Sequence, residues 1–225
     1  MEAMHQFASR ISVGLIKFCN LPEAKIPVLT YGLEVVLSTL LSLAVLLLGG
    51  LLAGTPILVL TAAFTGAALR AVAGGVHASG PYFCAFFGGV VFTLIGLAAR
   101  EAGIAVSLRL LLLIVALTGF AGFSMVSLYA PAGCARRPFT GKEEFLKKRR
   151  ARYVVLSWTL LAGAVPALTL LWPDFLLQES IFLRQVLFAS TLGLWWQLFT
   201  LTPVAYRLLP RLEKGAGRLL IRKEG

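Results

Sequence analysis

His77 and Cys84 stand seven residues apart in a chain with two histidines and three cysteines. A cysteine attacks a carbonyl as its thiolate, and a free thiol with a pKa near about 8.5 supplies little thiolate at neutral pH. A histidine within hydrogen-bond reach takes that proton and returns it to a leaving amine, the minimum equipment for acyl transfer through a thioester. On an unbroken helix the two side chains would share a face but lie about 10 Å apart along the axis, too far for direct proton transfer. The segment between them therefore has to bend. Gly74, Gly75, Gly80 and Pro81 permit this, since glycine accepts positive φ and proline favours the first turn of a new helix. With Ser79 or Gly80 as N-cap, Cys84 enters the first turn of the next helix. There the helix dipole favours a thiolate, and unpaired N–H groups can hold an oxyanion.

Arg70 closes the preceding apolar run, and a charge there is costly unless it snorkels or finds a partner. In a functional role it pairs with a substrate carboxylate or supports the thiolate, with Glu34 as candidate internal partner. Glu34 or a backbone carbonyl could also orient His77, but nothing in the sequence requires a third member, so a dyad is expected. Cys19 and Cys134 have no histidine nearby and read as small buried hydrophobes. His5 reads as solvent-facing. No spaced cluster of His and Cys supplies a metal site, and no cofactor is expected.

The elements that must position the pair are membrane helices. Of 225 residues, 58% are hydrophobic and the mean hydropathy is +0.86, against roughly 45–50% apolar residues in soluble domains. Several runs reach the ~20 residues that cross ~30 Å of hydrocarbon, and they are apolar at nearly every position, unlike the alternating strands of a β-barrel. The expected fold is all-α: a polytopic membrane helical bundle with about six transmembrane helices, at 28–48, 55–73, 82–99, 106–128, 153–172 and 181–203. An N-terminal amphipathic interfacial helix and a basic C-terminal tail flank the bundle.

The net charge of +11 reads as topology rather than nucleic-acid binding. With both termini cytoplasmic, 18 of the 21 cations fall on the inner side; Arg100, Arg109 and Arg184 do not. That is the positive-inside asymmetry, so a multi-pass protein of the cell membrane is expected. All three cysteines then face the cytoplasm, where thiols stay reduced and no disulfide framework is expected. No cleavable signal is apparent.

One integral membrane domain, 1–225, accounts for the whole chain. Residues 1–25 form the interfacial helix, in which Met4, Phe7, Ala8, Ile11, Leu15 and Phe18 recur at helical spacing; a helix packed beneath the bundle fits equally. Residues 28–203 form the bundle. Residues 204–225 form a cytoplasmic tail that suits an anionic leaflet.

The stretch Arg70, Gly74-Gly75-Val76-His77-Ala78 and Cys84 resembles the accessory gene regulator B (AgrB) family. So do Tyr31-Gly32-Leu33-Glu34, Tyr129-Ala130-Pro131 and Arg136-Arg137-Pro138 with the basic run that follows. The resemblance covers most of the chain up to about the fifth span. It implies a membrane cysteine endopeptidase of Gram-positive quorum sensing with the dyad His77 and Cys84, Arg70 and Gly75 being supporting positions. It further implies a propeptide substrate with an amphipathic N-terminal helix, an internal cysteine or serine and an acidic tail, cyclised to a thiolactone or lactone after cleavage. It also suggests a homodimer. The basic run from Arg136 to Arg152 suits an acidic tail, although positive-inside anchoring explains it too.

Two other classes fit a six-span chain. A transporter would place polar groups near the bilayer midplane, whereas most charges here lie at span ends. A non-catalytic membrane scaffold would tolerate loss of Cys84.

Overall fold

Apolar runs punctuated by proline and glycine form eight α-helices in a computed structural model that describes residues 2–19, 22–76, 80–132, 140–171 and 181–221. Helix α1 covers Glu2–Cys19, and a 3₁₀ turn at Glu23–Lys25 leads into α2, Ile26–Leu52. Then come α3 (Pro56–Ala73), α4 (Pro81–Ala105), α5 (Leu108–Tyr129), α6 (Gly141–Leu171), α7 (Ile181–Leu201) and α8 (Pro203–Ile221). Pro56 and Pro81 occupy the start of α3 and α4, where a missing N–H costs no helical bond. Ser107 caps α5, its Oγ accepting from the Leu110 N–H at 3.3 Å.

Two boundaries differ from the sequence reading. Leu48 to Leu52 belong to α2, so only Ala53–Thr55 joins it to α3. Residues 142–152, read as a basic connection, form the opening turns of α6. Their Glu and Lys/Arg side chains at helical spacing support a helix that continues beyond the apolar span.

Helices α2 to α6 are long and apolar enough to cross a membrane. The sixth expected crossing corresponds to α7, which falls short on composition because it carries Arg184, Gln185 and Gln197. Its surroundings explain the difference. At 21 residues it is about 31 Å long, and it packs against α3, α4 and α5 with Thr191, Gln197 and Thr200 buried. Polar side chains are tolerated in a membrane helix when they face the bundle interior. Gly193 lets α7 approach α3 closely, since a Cβ there would run into the backbone of Ala62. The Trp158 indole donates to Ser190 at 2.7 Å and the Trp195 indole to Thr118 at 3.0 Å, tying α6 and α5 to the same central helix.

The outer surface is apolar. Leu40 and Leu51 of α2, Phe86 and Leu94 of α4, Phe120 of α5 and Leu160 of α6 are all exposed. Water would not tolerate such a belt, whereas lipid does.

Helix α1 packs on the start of α2 and runs opposite to it. Thr30 donates to Ser12 at 3.1 Å, and His5 pairs with Glu34. Ala8, Ser12 and Ile16 are buried in this contact, while Phe7, Leu15 and Phe18 stay exposed. The helix thus meets the bundle by one face and keeps apolar side chains exposed on another. Cys19 is exposed at its end, contrary to the buried hydrophobe expected from composition.

Candidate active site at the break between α3 and α4

Helix α3 ends where the glycines begin. Gly74 and Gly75 both have positive φ, 75° and 137°, a region that side chains with a Cβ rarely adopt. The Gly74 N–H still bonds back to the Arg70 carbonyl at 2.9 Å, but the chain then leaves the helix axis. Ala132, just after α5, donates to the Ala73 carbonyl at 2.8 Å and bridges Gly74. On the other side, the Val76 N–H donates to the carbonyl of Thr200 at 3.1 Å. Thr200 lies in the last turn of α7, where carbonyls lack helical donors, so the turn satisfies an orphan acceptor.

Side chains complete the anchoring. Arg70 Nη2 donates to the Val76 carbonyl at 2.6 Å and Nη1 to Gln197 Oε1 at 3.4 Å. Gln197 Nε2 donates to the Gly74 carbonyl at 2.7 Å. A Cβ on Gly75 would press on Thr200 Oγ1, Gln197 Nε2 and the Arg70 guanidinium, at 2.8, 3.2 and 3.4 Å. Close approach as well as backbone conformation therefore demands glycine at Gly75.

The chain resumes as helix α4 with Gly80 as N-cap, in extended conformation, and Pro81 at the first position. Of the two N-caps considered, Gly80 is the one found; Ser79 lies outside the described residues, as do His77 and Cys134. Cys84 is exposed, and its N–H donates to the Gly80 carbonyl at 3.1 Å, the first helical bond of α4. Its amide is thus committed. The N–H groups that precede the first helical bond are those of Tyr82 and Phe83, because Pro81 has none.

Cys84 borders a cavity of about 230 Å³ between α2, α3, α4 and α7. Phe87, Phe92 and Trp196 supply much of the apolar wall, and Arg70, Gln197 and Thr200 the polar one. Phe83 stacks on Phe87 at 5.5 Å, and Phe87 leans on Trp196 at 6.1 Å, so the wall is a connected aromatic series. Gly88, one turn after Cys84, also faces the cavity, and a Cβ there would meet nothing within 4 Å.

One sequence expectation needs correction. Glu34 pairs with His5 rather than with Arg70, which is held by Val76 and Gln197. His5, read as solvent-facing, is exposed but engaged in that pair. Gln197 was not singled out, although an amide with Thr200 one turn on, in the largely apolar second half of a helix, is the signal that marks an interior polar contact. Among the described residues no three side chains of His, Cys, Asp or Glu gather into a metal-binding group.

A helical membrane bundle with an interrupted helix pair, a glycine-built turn and a cysteine at the start of the following helix defines the class: a polytopic membrane protein with its candidate site at the end of a span. Residues 8–201 match the sequence model of Accessory gene regulator B, and the chain belongs to that family. Two Clostridium perfringens proteins whose names call them AgrB-like, from strains SM101 and 13, are 21% and 22% identical to it over 202 residues. The alignments cover 89% of this chain and 92% of each relative. No solved structure matches the chain at a significant level. Membership assigns the protein to accessory gene regulator quorum sensing, in which the family takes part in peptide processing.

Proposed function

We propose that the protein is a cysteine endopeptidase that cleaves an autoinducer propeptide at the cytoplasmic face of the cell membrane, with Cys84 as nucleophile and His77 as its base. The observation that carries the reading is the location of Cys84: exposed in the first turn of α4, on the border of a cavity that Arg70 and Val76 also line. His77 is one peptide bond from Val76.

In the first step His77 takes the thiol proton while Cys84 Sγ forms a bond to the scissile carbonyl carbon. The oxyanion draws on the N–H groups at the start of α4. As the tetrahedral adduct collapses, His77 returns the proton to the leaving amine, which departs with the acidic tail, and the N-terminal part remains as a thioester. An internal cysteine or serine of the same peptide then attacks the thioester carbonyl and displaces Cys84, closing a thiolactone or lactone. The apolar cavity beside Cys84 receives a hydrophobic side chain of the propeptide and limits water at the thioester, favouring ring closure over hydrolysis.

The test is reconstitution of the protein in vesicles with its propeptide, comparing wild type with Cys84→Ala and His77→Ala. Loss of cleavage by more than about 100-fold in each variant is expected. Cleavage at the wild-type rate in Cys84→Ala would dismiss the peptidase reading and favour a transporter or scaffold.

A further inference from the structure

A buried amide on α7 holds the turn that leads to His77. Gln197 is only 2% exposed, and an amide is retained inside a bundle where its polar atoms are satisfied. Both ends are used here. Nε2 donates to the Gly74 carbonyl at 2.7 Å, and Oε1 accepts from Arg70 at 3.4 Å. Arg70 passes the constraint on to the Val76 carbonyl, and the Val76 N–H reaches back to the Thr200 carbonyl. This closed circuit surrounds Gly75 so closely that a Cβ there would come within 2.8 Å of Thr200 Oγ1 and force a shift. Val76, its last backbone member, immediately precedes His77.

We infer that Gln197 is a positioning residue for the peptidase reaction: directly and through Arg70 it fixes the backbone from Gly74 to Val76, the turn that immediately precedes His77 in the chain. The inference rests on the dyad reading above. Gln197 needs no contact with substrate for this role. Its contribution is orientation, and a displacement of about 1 Å at a reacting pair costs on the order of 100-fold in rate.

The experiment uses the full chain with Cys19 and Cys134 replaced by serine, leaving Cys84 as the one thiol. The pH dependence of Cys84 alkylation by iodoacetamide is measured alongside kcat and KM for propeptide cleavage, in wild type, His77→Ala, Gln197→Leu and Gln197→Glu. Gln197→Glu keeps an acceptor for Arg70 while losing the donor to Gly74, and serves if the leucine variant fails to fold. Both Gln197 variants are expected to shift the alkylation profile toward that of His77→Ala and to lower kcat roughly 10- to 100-fold, with KM changed by less than about threefold. A folded Gln197 variant with the wild-type alkylation profile and kcat would overturn the positioning role. A His77→Ala profile identical to wild type would instead remove the dyad, and this inference with it.

Discussion

Gln197 donates its side-chain amide to the carbonyl oxygen of Gly74 at 2.7 Å, linking the central helix α7 to the residue at which α3 stops. The two are 123 positions apart in sequence. The bond makes the glycine turn part of the bundle core rather than a loose connection, and the behaviour of nearby substitutions follows from it.

Gly75→Ala forces a Cβ into the circuit of Arg70, Gln197 and Thr200 at a backbone angle that alanine resists. A stability loss of about 1–3 kcal/mol is expected, accompanied by a drop in cleavage larger than the unfolded fraction explains. Gly80→Ala is the contrast, because Gly80 is extended and a Cβ there meets nothing within 4 Å. Thermal unfolding in detergent and cleavage rates on both variants distinguish a strained turn from a generic need for small residues.

Gly88→Leu extends a side chain into the space beside Cys84 from a position where the Cβ itself meets nothing within 4 Å. Folding is expected to be near normal. KM is expected to rise about tenfold or more for a propeptide bearing a bulky apolar residue before the scissile bond, and little for one bearing alanine there. Equal effects on both peptides would mean that the cavity does not receive that side chain.

Gly193→Ala places a methyl group against the backbone of Ala62, where no rotamer can relieve the overlap. The helices must separate, at a cost of about 1–3 kcal/mol. Gly163→Ala, whose Cβ would sit 3.8 Å from Val115, is expected to be neutral by the same thermal assay.

Glu34→Gln weakens the pair with His5, which joins α1 to α2 with His5 exposed and Glu34 half-buried. A surface pair of this kind contributes less than about 1 kcal/mol. Cleavage is expected to stay within about twofold of wild type; a large loss would return Glu34 to the catalytic assembly.

The membrane class, most helix positions and the break before Cys84 were legible in the sequence, because long apolar runs and the Gly-Gly and Gly-Pro pairs have few alternative structures. Gly80 as the cap, and Cys84 in the first turn beyond it, follow from the same local rules. The partners of Arg70 were not legible. Charge suggested Glu34, yet the contact comes from Gln197, a neutral side chain whose approach depends on how α3 packs on α7. Hydropathy likewise undervalues α7, since its polar residues turn toward protein, and a linear scale does not record which face a residue occupies. The basic opening of α6 shows the converse: charge marks where lipid ends without ending the helix.

Whether Cys84 becomes acylated is the decisive question, and intact-mass analysis of acid-quenched wild-type protein mixed with propeptide answers it. The expected result is an adduct of the N-terminal peptide fragment on Cys84, released by hydroxylamine and missing from Cys84→Ala. Release of the tail at an undiminished rate by Cys84→Ala, or turnover in wild type with no such adduct at any quench time, would contradict it.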